Sequence, residues 1–309
     1  MQLWLSAHLK SMGKEVDKLL ASLRQDNALK VWSLIITFFG DAVVTRGGNV
    51  SAKTVQAVLA GMEVGNGAVR TALSRLVNDQ WIVRQKIGRE SFYELADEGY
   101  RPFQAASVRI YSACSGEESA TNIWTLAVND ARSKADVTDL PDGAVQISSN
   151  CWLIKDLQSC VANSLEDKAF ILFSGELGRF PVWLKNKFIS DKKIDEYQTL
   201  QQQFAGIERV TSLTPLDSLI VRCLLIHQWR RLLLRSAALP QELLAPEHEC
   251  RQFVSALYER LLPNSELWLD QNATCANGKI PEAAAGIKHR FTEAYVLKKL
   301  NRITIFQRT

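Results

Sequence analysis

The sequence predicts an α+β chain of several domains, on three observations. Apolar residues keep helical spacing from Val16 to Leu76 and then give way to a short aromatic and β-branched pair of strands. Between Ile123 and Val210 short strand-like runs alternate with helical ones. After Thr214 long helical patterns return. The expected boundaries are an N-terminal amphipathic helix at 1–28, a first domain at 29–111, a middle domain at 122–210 and a helical C-terminal domain at 214–309.

In order, Met12 to Arg24 reads as a helix with Val16, Leu19, Leu20 and Leu23 on one stripe and Lys10, Lys14 and Lys18 on another. Its apolar face is thin, which favours packing against a protein domain over lying on a membrane. Leu29 to Val44 is a strongly apolar helix, and Thr45 to Asn49 a glycine-containing loop. Ser51 is placed to cap a third helix from Ala52 to Met62. Glu63 to Asn66 is the turn into the next helix. Asp97 opens a helix through Ile110, and Tyr111 to Asn122 reads as a linker.

The stretch GNGAVRTALSRLVNDQWIVRQKIGRESFYEL, Gly65 to Leu95, organises the first domain. Val69, Ala72, Leu73 and Leu76 form one face of a helix; Arg70, Thr71, Ser74, Arg75 and Asn78 form the other. Hydroxyls, an amide and guanidiniums with almost no acid suit a helix in a DNA major groove, where Arg meets a guanine edge and Asn an adenine edge. Trp81-Ile82-Val83 and Phe92 to Leu95 read as strands of a hairpin. Gly88 supplies the turn, and Lys86 and Arg89 stand at its tip. Helix-turn-helix followed by a basic hairpin is the pattern of a winged helix. The plainer alternative is an ordinary amphipathic helix followed by a hairpin.

The middle region offers strands at Trp124–Val128, within Ala144–Ile154 and at Ala169–Phe173, and helices at Asp156–Asn163 and Asp191–Phe204. That mix suits a small α+β sandwich. Gly175-Glu176-Leu177-Gly178 lacks the context of a phosphate loop. Farther on, Thr214-Pro215-Leu216-Asp217 is a helix start with a Thr cap, Pro at the first position and an acid at the third. The helix runs to about Ser236. His227, Arg231 and Arg235 follow one another at spacing four, with Arg230 beside them. That row reads either as a solvated basic helix end or as a wall for an anionic ligand, since Arg forks match phosphate geometry. Glu247 to Leu262 and Pro281 to Leu300 complete a helical bundle. Lys288, His289, Arg290, Lys298 and Lys299 on the last of these read either as a charged face or as a second nucleic-acid contact.

Composition narrows the classes. The 309 residues are 47% hydrophobic, enough for sizeable cores, and the net charge is only +4, so any nucleic-acid site depends on where the basic groups cluster. No apolar run is long enough for a bilayer and the N-terminus lacks a signal-peptide layout, which makes a cytoplasmic location the expectation and a membrane partner unexpected. The six cysteines have no zinc spacing and read as reduced, packed thiols; no metal and no cofactor is expected. An enzyme is the competing class. A nuclease would draw on Asp130, Asp136, Asp139 and Asp142 to hold Mg²⁺, a thioesterase on a Cys–His pair. An architectural DNA-binding protein without a ligand is a third option.

With these residues in view, the chain resembles the PaaX-type repressors of phenylacetic acid catabolism. The likeness runs through Trp32 to Ile35, Phe39-Gly40-Asp41, Arg46-Gly47-Gly48, Ala68 to Leu76, Trp81, Gly88 to Leu95, Gly99 and Arg109-Ile110-Tyr111. It resumes at Leu225 to Arg235, Leu239-Pro240, Leu243-Leu244 and Leu257-Tyr258. Where the family usually has Asp-Pro after Arg235, this chain has Ser236-Ala237. The resemblance implies a winged helix, a ferredoxin-like middle domain similar to Cas2 and a helical C-terminal domain. It implies a homodimer that represses from an inverted-repeat operator in double-stranded DNA. It also implies release by an aryl-acyl-CoA such as phenylacetyl-CoA, for which His227, Arg230, Arg231 and Arg235 are the candidate contacts.

Overall fold

The computed structural model describes residues 2–25, 29–111, 123–130, 140, 144–155, 157, 159–167, 170–176, 181–188, 191–235 and 245–291. It is a mixture of helices and small sheets, as α+β requires. The chain divides into two compact units. One is built from residues 1–114, 199–233 and 251–309, the other from 115–198 and 234–250.

The first unit starts with α1 (Gln2–Gln25), whose Val16, Leu19, Leu20 and Leu23 are buried, so its thin apolar face packs on protein. Helix α2 (Val31–Phe38) is apolar on nearly every side and buried from Ser33 onward. It does not continue as one regular helix to Val44. Phe39–Val43 widen into a π turn and Val44–Arg46 tighten into a 3-10 turn before the left-handed Gly47. The unbroken apolar spacing hides this change of pitch. The wide turn carries the buried carboxylate of Asp41, and π turns recur where a helix must present one side chain off its regular face. Gly40 is required there: a Cβ would run into the Phe103 ring.

Strand β1 (Asn49–Ser51) follows, then α3 (Ala52–Gly61), α4 (Asn66–Asn78), the hairpin β2 (Ile82–Ile87) and β3 (Glu90–Leu95), and α5 (Asp97–Tyr111). Ser51 caps α3, its Oγ accepting from the Thr54 amide at 3.1 Å. The sheet order is β1-β3-β2, antiparallel throughout, with Val50 opposite Tyr93 and Lys86 opposite Ser91. At only three residues β1 has no periodic signature; its pairing with β3 makes it a strand.

In the second unit β4 (Ile123–Val128), β5 (Val145–Ser148), β6 (Cys151–Lys155) and β7 (Ile171–Glu176) form one antiparallel sheet in the order β5-β6-β4-β7. Alternation along the strands gives it two apolar faces. Trp124 and Leu153 pack with Leu184 of α7 (Val182–Phe188), and Ala127, Trp152 and Ile154 with Leu165 of α6 (Ser159–Asp167). The expected linker at 111–122, apart from Tyr111, lies outside the described residues.

Helix α8 (Asp191–Glu208), α9 (Pro215–Leu234) and α10 (Ala245–Asn272) are the long helices of the later chain. The capping box at Thr214 forms, its Oγ1 accepting from the Asp217 amide at 3.1 Å and donating to the Asp217 carboxylate at 2.7 Å. Helix α10 runs past Pro263, where a helix end was expected. Beyond it β8 (Thr274–Cys275) and β9 (Gly278–Lys279) make a small hairpin. Thr274 Oγ1 donates to Ser51 Oγ at 2.7 Å, and the Ala276 amide to Asn49 Oδ1 at 2.9 Å. Among the described residues from Pro281 the only helix is a 3-10 turn, Ala285–His289, rather than the expected long helix; residues 292–300 lie outside the described ones.

Candidate nucleic-acid interface

Helix α4 has the two faces its spacing predicts. Val69, Ala72, Leu73 and Leu76 are buried; Arg70, Thr71, Ser74, Arg75 and Asn78 are exposed. The exposed groups lean on their own helix, not on other elements. Arg70 Nε donates to the Asn66 carbonyl at 3.4 Å and Thr71 Oγ1 to the Gly67 carbonyl at 3.1 Å. Arg75 reaches Asp79 at 3.4 Å, with its side chain 70% exposed. Such a loose pair across one turn is worth little in water, so Arg75 is available to a stronger partner.

On the hairpin Lys86 and Arg89 are exposed beside Gly88, which has φ +59°. Arg84 joins them. Two residues before Lys86 on β2, it lies on the same strand face, and Ser91 Oγ accepts from its Nε at 3.1 Å and its Nη2 at 2.8 Å. Period-two alternation from Lys86 is the signal that locates it in the sequence. Asn129 is buried and Asp130 exposed at the end of β4, while Asp136, Asp139 and Asp142 lie outside the described residues. Among the described residues no group of three or more His, Cys, Asp or Glu is arranged to hold a metal ion. Within the same residues no helix is long and apolar enough to cross a membrane.

The basic row of α9 is dispersed. His227 is fully buried, its Nδ1 3.2 Å from Thr37 Oγ1 on α2. Because that hydroxyl already donates to the Ser33 carbonyl at 2.9 Å, it accepts from the imidazole. Arg230 also turns to α2, donating to Ser33 Oγ at 2.6 Å and to the Ser33 carbonyl at 3.3 Å. Its Nε has no hydrogen-bond partner among the described residues, and neither does the neighbouring Gln228 Nε2. Burial holds the Arg230 guanidinium below its usual range, and the charge of Arg231 acts in the same direction. Arg231 is half-buried and Arg235 exposed.

A second set of charges, which the spacing argument passes over, lies in the core of the first unit. Asp41 is fully buried. Its carboxylate accepts from Arg222 Nε at 2.6 Å, Arg290 Nη1 at 2.6 Å, Tyr111 Oη at 2.6 Å and Tyr258 Oη at 3.2 Å. Arg222 extends to Ser265 and Glu266, and Arg46 joins Glu266 at 2.6 Å and Asp270 at 2.7 Å. Three arginines thus meet three carboxylates. Arg222 and Arg290 also stack on the rings of Tyr258 and Tyr111, at 5.1 and 4.4 Å. The set ties the π and 3-10 turns after α2 to α5, α9, α10 and the segment after β9. Its signal was a lone Asp41 in one apolar run and a lone Arg222 in another: charges in such places are seldom buried unless paired.

The helices α3 and α4, joined through residues 62–65 and followed by a basic hairpin, define the class as helix-turn-helix with an appended hairpin. Residues 30–99 match the family model described as PaaX-like protein, and residues 190–271 match that of the PaaX-like protein C-terminal domain. The transcriptional repressor PaaX of Escherichia coli (strain K12) is 28% identical over 288 residues, spanning 84% of this chain and 89% of that protein. The chain is thus similar to the PaaX-like family in residues 30–99 and 190–271. Among solved structures, the uncharacterized protein Rv0674 from Mycobacterium tuberculosis covers 70% of this chain and 91% of its own, with 15% identity and a TM-score of 0.40.

Proposed function

We propose that the protein is a DNA-binding transcriptional repressor of an aromatic-acid (phenylacetate-type) catabolic operon. It binds an inverted-repeat operator as a dimer and leaves it when an aryl-acyl-CoA binds. The observation that carries the reading is the outer face of α4, where Arg70, Thr71, Ser74 and Arg75 are exposed on a helix anchored by its other face. The element order α3, α4, β2, β3 supports a winged helix, with Arg84, Lys86 and Arg89 on the phosphate backbone. The name of the E. coli relative supports a repressor role and not an enzymatic one.

The strand order β5-β6-β4-β7 with α6 crossing from β6 to β7 supports the ferredoxin-like reading of the middle region. A dimer is supported by the β7 edge of that sheet, which pairs with no further strand among the described residues. Ile171 and Phe173 of β7 are each 62% exposed, and Val182 and Trp183 of α7 are exposed as well, more apolar surface than a sheet of this size usually leaves in water. For the effector, half-buried Arg230 and the unmet donors of Arg230 and Gln228 favour an anion on α9, with Arg231 extending the charge. In this reading His227 seats α9 on α2 instead of touching the ligand.

A gel shift of the purified chain on the DNA upstream of its own gene, with and without a panel of acyl-CoA thioesters, tests the whole reading. Specific retardation relieved by phenylacetyl-CoA or a related thioester is the expected result. Retardation that no thioester relieves removes the effector and leaves the repressor. Absence of any sequence preference at physiological salt removes both.

A further inference from the structure

The turn that sets α4 against α3 has an uncommon backbone. Glu63 has φ +56°, a left-handed conformation that residues with a Cβ rarely adopt. Gly65, the N-cap of α4, has no side chain with which to fix the helix start. The amides of Glu63 and Val64 close the end of α3 on Ala60 and Leu59, both at 2.9 Å, which leaves the Met62 and Glu63 carbonyls to be met from outside.

One side chain meets them. Arg24, at the end of α1, donates through Nη2 to the Met62 carbonyl at 3.2 Å and the Glu63 carbonyl at 3.5 Å, while Nη1 pairs with the Glu63 carboxylate. A cation at the C-terminal end of α3 also opposes that helix's dipole. Arg24 is held from behind. Val16, Leu19, Leu20 and Leu23 of α1 are buried, and Gln203 Nε2 of α8 approaches Ser22 Oγ at 3.5 Å. We infer that Arg24 is a positioning residue for DNA recognition: it locks the turn 62–65 and so sets the angle at which Arg70, Thr71, Ser74 and Arg75 meet a groove. This rests on the reading of α4 as the groove-reading helix.

The side chains of Arg24 and Glu63 are 43% and 53% exposed, and exposed ion pairs add little to stability. Loss of Arg24 therefore acts on binding more than on melting. The test is fluorescence anisotropy of the full chain on a duplex recovered by selection from a random library, across a range of salt, with thermal melting in parallel. Arg24→Ala is expected to weaken binding about fivefold or more, with the melting temperature nearly unchanged. The salt slope stays that of the wild type because no phosphate contact is lost. Arg24→Lys keeps the charge but not the fork and recovers only part of the affinity. Glu63→Gly relieves the left-handed backbone while removing the carboxylate, so it holds or raises the melting temperature and still weakens binding.

Three results overturn the inference while leaving the α4 reading intact, as shown by weaker binding of Arg75→Ala. One is unchanged affinity for Arg24→Ala. Another is a salt slope reduced by about one contact, which makes Arg24 a phosphate ligand. The third is a parallel fall of affinity and melting temperature in both Arg24→Ala and Glu63→Gly, which makes the clamp part of the fold alone. If Arg70→Ala and Arg75→Ala bind as well as the wild type, α4 does not read DNA and the inference falls with it.

Discussion

Arginines of the outer face of α4 and arginines around Asp41 look alike as letters and behave as opposites. Arg70 and Arg75 stand in water with weak local contacts. Arg46, Arg222 and Arg290 are buried and matched by Asp41, Glu266 and Asp270. The first group's charge stays in water; the second spends its charge inside the fold. What separates them is the presence of carboxylates at hydrogen-bonding distance and the loss of water around them. A count of basic residues therefore says little about nucleic acid until burial and pairing have been assigned.

The comparison breaks most sharply at Asp41. Asp41→Ala leaves Arg222 and Arg290 buried without their shared carboxylate. It is expected to cost about 3–5 kcal/mol of stability, or roughly 10 °C in the melting temperature of a unit this size. Calorimetry measures it, and a loss no larger than that of a surface substitution refutes the buried-network account. At the other pole, Arg75→Ala is expected to weaken operator binding by about 1–3 kcal/mol with unaltered melting, if its guanidinium meets a base edge. A footprint and a melting curve on the same preparation check both halves.

Smaller effects sharpen the contrast. Lys86→Ala on the wing is expected to weaken binding to all duplexes alike and to lower the salt slope by about one. Titration against specific and scrambled duplexes shows it, and discrimination that changes with sequence speaks against a phosphate contact. The least effect is one of pH. Burial pushes the Tyr111 and Tyr258 hydroxyls well above their ordinary range, with the charges of Arg290 and Arg222 opposing. Because the folded chain keeps these protons longer, their contribution is complete below about pH 10 and declines as the pH rises further. Alkaline melting of Tyr111→Phe is expected to show a shallower decline than the wild type.

Helices with one apolar stripe were legible in the sequence, as were the Ser51 and Thr214 caps and the hairpin turn at Gly88, because each rests on residues close together in the chain. The face of α4 was legible for the same reason. What escaped depends on distant partners. Strand β1 exists through β3, the wide turn at Phe39–Val43 lies in an unbroken apolar run, and Pro263 sits inside α10 although proline usually ends a helix. His227 shares its spacing with Arg231 and Arg235, and Arg230 stands beside that row, yet His227 and Arg230 face α2; periodicity places residues on a helix without saying what stands opposite.

The charges that neutralise Asp41 come from Arg222 and Arg290, on the far side of the chain in order of synthesis. A ribosome releases α2 and its carboxylate long before either guanidinium exists. Until then the wide turn has an acid at its centre without the two cations that receive it in the folded chain. The buried charge network of the first unit is complete only after residue 290 has emerged. A chain ended before Arg290 would lack one of the two cations that neutralise Asp41.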